Sequence, residues 1–189
     1  MDLLQSGWLS HVKHKHSPNF NQRPVNKDIS LLVIHSISLP PGEYGNCYID
    51  DFFCNNLLVS KHPYFQEICH LQVSSHILIR RDGELTQYVS FLDRAWHAGQ
   101  SSFRGRENCN DFSIGIELEG LEGFTFEAAQ YQKLAELSAL LMKHYPDITR
   151  DRIAGHSDIA PQRKFDPGSG FDWQYYFECL DMHLPAKSI

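Results

Sequence analysis

The stretch Asp111-Phe112-Ser113-Ile114-Gly115-Ile116-Glu117-Leu118-Glu119-Gly120 constrains the fold more than any other part of this chain. Phe112, Ile114, Ile116 and Leu118 alternate with Ser113, Gly115, Glu117 and Glu119, and a period of two marks a strand whose successive side chains point to opposite faces. One face is therefore apolar and the other acidic. The acidic face is either a solvated surface or the wall of a site, and Gly115 beside Glu117 leaves room there for a ligand.

A second strand is expected over Ser30 to Ile37, an apolar run rich in branched residues and bounded by Asp28 and Pro40-Pro41-Gly42. Alternation puts Leu31, Val33, His35 and Ile37 on one face, so His35 emerges near the end of an apolar row, as a hydrogen-bonded core histidine or as a ligand. Asp82-Gly83 is the turn signal of a hairpin between His76–Arg80 and Leu85–Val89. From Glu127 to Tyr145, residues such as Tyr131, Leu134, Leu137 and Leu141 form a helical stripe that Pro146 closes. Shorter elements are expected at Tyr48–Leu58 (helix), Arg152–Ala154 (strand) and Phe171–Leu180 (helix). Strands and helices intermixed in this order predict an α/β domain, a central mixed β-sheet flanked by helices. Residues 1–24, with Pro18 and Pro24, read as an irregular lead-in, and its His11, His14 and His16 lack a carboxylate that would fix a metal.

At 189 residues and 42% hydrophobic content, a single domain over 1–189 is expected. The formal net charge of -6 argues against a nucleic-acid partner. Met1 to Gly7 lacks the pattern of a secretory signal and no apolar run is long enough to span a bilayer, so a cytoplasmic location and no membrane partner are expected. Cys47, Cys54, Cys69, Cys109 and Cys179 form no C-x-x-C pair and are expected as reduced thiols. No oligomeric state is implied.

The densest chemistry lies in Gly155 to Gly168, where His156, Asp158, Lys164 and Asp166 share one apparent loop. Imidazole and carboxylate are usual donors to catalytic zinc, and an ammonium nearby can hold the charge that forms when a carbonyl is attacked. A third ligand has to come from elsewhere. Both Asp158 and Asp166 are candidate carboxylates, and Glu117 and Glu119, on one strand face, are candidate proton carriers. Trp96 and His97, among small residues in Ala95–Ser102, are candidates to line a pocket, with Trp96 equally a core plug.

Leu32-Val33-Ile34-His35, Arg80-Arg81-Asp82-Gly83, Ala95-Trp96-His97-Ala98-Gly99, Ser113-Ile114-Gly115-Ile116-Glu117 and Gly155-His156-Ser157-Asp158-Ile159-Ala160-Pro161 occur here in that order. The chain thereby resembles the type 2 family of N-acetylmuramoyl-L-alanine amidases over most of its length. Leu39–Glu43, Arg104–Phe112 and Phe171–Trp173 resemble the members that act on anhydromuramyl-peptides in cell-wall recycling.

The resemblance implies a Zn²⁺ cofactor held by His35, His156 and Asp166, with Glu117 and Lys164 as catalytic groups, and it favours Asp166 over Asp158 and Glu117 over Glu119. Three protein ligands leave one position open, where zinc makes water acidic enough to ionise near neutral pH. Glu117 would carry a proton to the departing L-alanine amine, and Lys164 would stabilise the oxyanion. Trp96, His97, Arg106, Asn108 and Ala160 are the expected substrate contacts. Close relatives carry arginine at the position of Asn108 and asparagine at that of Ser36; asparagine cannot supply the bidentate fork of a guanidinium, which leaves Arg104 or Arg106 to compensate. A non-catalytic module binding peptidoglycan fragments is the alternative, and loss of ligands would favour it.

Overall fold

In the computed structural model, which describes residues 1–26 and 28–185, the chain runs β1 (Lys13–His14), β2 (Phe20–Gln22), β3 (Leu31–Ile37), α1 (Tyr48–Phe53), α2 (Phe65–Ile68), β4 (Ile77–Ile79), β5 (Leu85–Gln87), β6 (Asp93–Ala95), β7 (Ser102–Phe103), β8 (Arg106–Glu107), β9 (Ser113–Glu119), α3 (Ala128–His144), β10 (Ile153–Gly155), α4 (His156–Ile159) and α5 (Trp173–Asp181). The central sheet has the order β1-β5-β4-β9-β3-β10. Its β4–β5 pair is antiparallel and its other pairs are parallel, so the sheet is mixed. The two strands legible from alternation, β3 and β9, lie side by side near its centre, in register from Leu31↔Ser113 to Ile37↔Glu119.

Alternation sorts the side chains into layers. Leu32, Ile34, Ile77, Ile79, Ile114, Ile116 and Leu118 join Tyr131, Leu134, Leu137 and Leu141 of α3 and Tyr176 and Leu180 of α5 in the main core. Leu31 and Val33 pack instead with Ala98, Cys109, Phe112 and Ile159, and Leu78 packs with Ile49, Phe52, Phe53 and Phe65. Every residue of β9 is buried, which excludes the solvated-surface reading of its acidic face.

The ends of α3 and of the hairpin follow local chemistry. Gln130 Oε1 accepts from the Glu127 N–H (3.0 Å), and Gln130 Nε2 donates to the carbonyls of Ile79 (3.3 Å) and Glu119 (3.0 Å), tying the helix start to β4 and β9. In the hairpin turn Gly83 has φ +87°, a conformation open to glycine, and Asp82 Oδ1 accepts from the Glu84 N–H (2.9 Å).

Four expectations are corrected. The lead-in is not irregular throughout: β1 pairs parallel to β5 at the edge of the central sheet, and β2 pairs antiparallel to β6. Phe112 does not share the face of Ile114, because it ends a 3-10 turn over Cys109–Asp111 before the strand begins. The first helix stops at Phe53, short of Leu58. Gly155 to Gly168 is not all loop, since His156 opens the one-turn helix α4. No helix among the described residues is long and apolar enough to cross a membrane.

Candidate active site

Parallel pairing sets His35 opposite Glu117 and Ile34 opposite Gly155, so His156, the next residue, arrives beside His35. Asp158 Oδ2 accepts from the Gly155 N–H (2.7 Å) and caps α4. The chain then folds back: the N–H groups of Arg163 and Lys164 donate to the Ala160 carbonyl (3.2 and 3.1 Å), and the Ser157 N–H donates to the Asp166 carbonyl (2.9 Å). Asp166 is thereby returned to the start of α4.

The three expected ligands converge. His35 Nδ1 stands 3.0 Å from His156 Nδ1 and 3.0 Å from Asp166 Oδ2, and His156 Nδ1 stands 3.2 Å from Asp166 Oδ2. His156 Nε2 lies 3.1 Å from the Ala98 carbonyl, which only accepts, so in the neutral ring Nε2 carries the hydrogen and Nδ1 the lone pair. Burial pushes the His35 pKa down to about 4 despite the nearby Asp166, so this ring is neutral at pH 7. Burial pushes Asp166 upward, but the adjoining His156 and His35 rings outweigh that and hold the carboxyl below the usual carboxylate range. Two acceptors, His156 Nδ1 and Asp166 Oδ2, therefore face each other at close range, an approach that a cation between them would make favourable.

The donor set fits a divalent metal. At zinc–ligand distances of about 2.0–2.1 Å, the edge of a tetrahedral ligand face is about 3.3 Å. The observed edges of 3.0 to 3.2 Å are close to that, and the three residues form a group able to hold a metal ion.

Glu117 is buried, and its Oε2 has no hydrogen-bond partner. Burial, reinforced by the Asp166 charge and opposed by Lys164, holds its pKa well above the usual carboxylate value. A buried carboxyl oxygen without a partner is costly, and such groups concentrate where chemistry needs them. Glu119 is engaged instead: its Oε1 accepts from Arg80 Nη1 (2.8 Å) and the Gly45 N–H (2.8 Å), and its Oε2 from the Arg81 N–H (3.3 Å).

These groups open into a cleft of about 410 Å³. His35, Glu117, His156, Lys164 and Asp166 line it together with Phe52, Phe53, Tyr64, Ile68, Leu71 and Val73. Of the expected substrate contacts, His97 is in the lining. Trp96 is half-buried outside it, its Nε1 donating to Asn21 Oδ1 (2.7 Å). Arg106 pairs with Asp28 and lies over the Phe112 ring, 3.9 Å from its centroid, while Arg104 pairs with Asp151 (2.8 Å); neither lines the cleft. Asn108 and Ala160 line a second cavity of about 380 Å³ that shares Arg163 with the first.

Sequence reasoning missed Arg163 and the apolar wall. Arg163 Nη2 donates to the carbonyls of Ala98 (2.7 Å) and Gln100 (2.6 Å), and a second cation beside Lys164 was the signal for it. The wall residues between Tyr64 and Val73 carry no periodicity that announces a pocket.

Known proteins resemble this chain over most of its length. The family model described as N-acetylmuramoyl-L-alanine amidase matches residues 25–169, a span that contains His35, Glu117, His156, Lys164 and Asp166. The chain is 57% identical over 177 residues to the 1,6-anhydro-N-acetylmuramyl-L-alanine amidase AmpD of Haemophilus influenzae, covering 94% of this chain and 96% of that protein. A crystal structure of a selenomethionine AmpD derivative superposes with a TM-score of 0.89 at 50% identity, covering 97% of this chain and 99% of that one. The Escherichia coli N-acetylmuramyl-L-alanine amidase AmiD, in complex with the substrate anhydro-N-acetylmuramic acid-L-Ala-D-γ-Glu-L-Lys, superposes at 0.59 with 31% identity, covering 85% of this chain and 65% of that one. The chain belongs to the N-acetylmuramoyl-L-alanine amidase family.

Proposed function

We propose that this protein hydrolyses the amide bond between 1,6-anhydro-N-acetylmuramic acid and L-alanine in muropeptides, as a step of cell-wall recycling, with Zn²⁺ held by His35, His156 and Asp166. The observation that carries the reading is the unpartnered Glu117 carboxyl in the same cleft as a triangle of two imidazole nitrogens and a carboxylate oxygen. The names of the AmpD and AmiD relatives supply the substrate class. When bound, zinc supplies a Lewis acid that polarises a carbonyl and acidifies water.

The chain's own residues supply the rest. Glu117 accepts a proton at its carboxylate from the water that adds to the carbonyl carbon, and delivers it to the departing L-alanine nitrogen as the C–N bond breaks, since a neutral amine leaves far more readily than an amide anion. The raised pKa of Glu117 suits it to hold that proton between the two transfers. Lys164, half-buried in the cleft lining, supplies an ammonium to stabilise the developing oxyanion. The apolar residues from Phe52 to Val73 exclude water and cover the apolar faces of the sugar. A non-catalytic module would have no use for a buried, unpaired Glu117. The five cysteines, all free thiols, fit a reducing cytoplasm.

The test is to incubate purified protein with anhydro-N-acetylmuramic acid-L-Ala-D-γ-Glu-L-Lys and follow release of the peptide. Release that a chelator abolishes and Zn²⁺ restores is expected. No release by zinc-loaded protein would overturn the assignment.

A further inference from the structure

His97 lines the cleft but has no role in the chemistry above, and its surroundings are more specific than those of a packed core ring. Its Nδ1 lies 2.9 Å from His35 Nε2, and its Nε2 lies 3.1 Å from Ser113 Oγ. Ser113 Oγ in turn donates to the Cys109 carbonyl (2.6 Å). A carbonyl only accepts, so the hydroxyl hydrogen goes to it, and the hydroxyl oxygen is left to accept from His97 Nε2–H. The neutral His97 ring then presents a lone pair at Nδ1, which accepts from His35 Nε2–H. The lone pair of His35 is left on Nδ1, the atom aimed at His156 and Asp166.

We propose that His97 is a positioning residue: through the chain Cys109 carbonyl–Ser113–His97 it fixes His35 as the Nε2-protonated tautomer and keeps Nδ1 open for the metal. The inference rests on the metal reading given above. Two further observations support it. Gly115, on the strand that carries Glu117, has no room for a side chain, because a Cβ there would fall 2.5 Å from His97 Cγ. A methyl group at residue 115 would push the imidazole off its place. The backbone at His97 is also anchored, since Asn110 Oδ1 accepts from the N–H groups of His97 (3.1 Å) and Ala98 (2.8 Å). The same two residues govern both histidine ligands, the His97 ring holding His35 and the Ala98 carbonyl holding His156 Nε2 (3.1 Å). The room expected beside Gly115 for a ligand is taken by the His97 ring, and Gly115 is thus the residue that makes the His97 contact possible.

The test measures zinc affinity by competition with a chromophoric chelator and the histidine tautomers of the metal-free protein by long-range ¹H–¹⁵N NMR. Wild type should show His35 and His97 protonated at Nε2. His97→Leu, which fills the space without an acceptor, should weaken zinc binding about 10–100-fold. His97→Asn, whose Oδ1 can stand where Nδ1 stood, should recover most of the loss, and Gly115→Ala should weaken binding in the same sense as His97→Leu. A role in packing alone would favour Leu over Asn, so a zinc affinity of His97→Asn no higher than that of His97→Leu would overturn the proposal. So would His35 found protonated at Nδ1 in the metal-free wild type, a readout that holds even if a variant fails to fold. Wild type that binds no zinc would overturn the metal reading together with this one, whereas tight wild-type binding with an unaffected His97→Leu would overturn only the inference about His97.

Discussion

His35 and Glu117 stand opposite each other on neighbouring parallel strands, in a register that runs unbroken from Leu31↔Ser113 to Ile37↔Glu119. The proposed metal ligand and the proposed proton carrier are thus held by one stretch of sheet, on elements more rigid than loops. Glu117→Gln keeps the shape and removes the ionisable group. It should retain bound zinc while turnover falls about 10²–10⁴-fold. Because burial raises the Glu117 pKa, the folded chain at neutral pH must bury a charge or take up a proton, a cost that the uncharged amide does not carry, so the metal-free variant should also be more stable than wild type at neutral pH. Thermal melting of the chelated proteins checks the sign.

Glu119, on the same strand face, should respond in the opposite way. It is paired with Arg80, itself buried and also paired with Asp50 (3.3 Å). Removing the Glu119 charge leaves the buried Arg80 with Asp50 alone, so Glu119→Gln should destabilise the fold, by less than the roughly 3–5 kcal/mol of a fully orphaned buried charge. Urea denaturation of the two glutamate variants would show this opposition directly.

The two aspartates after His156 should separate in the same manner. Asp166→Ala removes a converging oxygen and should abolish tight zinc binding. Asp158→Ala removes the acceptor of the Gly155 N–H at the start of α4, which should cost about 0.5–1.5 kcal/mol of stability and leave zinc in place. Metal analysis after dialysis, paired with melting curves, tells them apart.

Acid should unfold the metal-free protein early. Burial lowers the pKa of His35 to about 4 and that of His76 to about 3, from an ordinary 6.5, and holds His97 well below it. The unfolded chain takes up protons at these rings as pH falls through 6.5, while the folded chain does not until nearer 4. Stability is therefore full above pH 6.5 and declines toward pH 4, by a total on the order of several kcal/mol. Glu117 works in the other direction, because its raised pKa contributes stability at low pH that is lost as pH rises. Metal-free Glu117→Gln should accordingly show a steeper loss on acidification than wild type, measured as melting temperature between pH 7 and 4.

Much of this architecture was legible because it rests on short-range pattern. The alternation through Ile114, Ile116 and Leu118 specified both the strand and the face that meets α3, and the stripe from Tyr131 to Leu141 specified the helix that covers it. The metal-capable residues were legible as types in motifs, although their convergence depends on the strand order β9-β3-β10, which no local pattern contains. What was not legible depends on long-range partners or on backbone direction. Lys13–His14 is too short to show a period, and its partners lie at Thr86 and Gln87. Arg104 and Asn108 both sit at positive φ, +51° and +59°, so the chain turns sharply at each and carries Arg106 to Asp28 and away from the cleft. Residue type alone does not report such turns.

The most direct measurement is X-ray absorption at the zinc edge of the loaded protein, together with zinc stoichiometry in the ligand variants. One zinc per chain is expected, with two imidazole nitrogens and carboxylate oxygen at about 2.0–2.2 Å, and with zinc lost in His35→Ala, His156→Ala and Asp166→Ala. Stoichiometric zinc that survives all three substitutions, or a spectrum without imidazole scattering, would contradict the assignment.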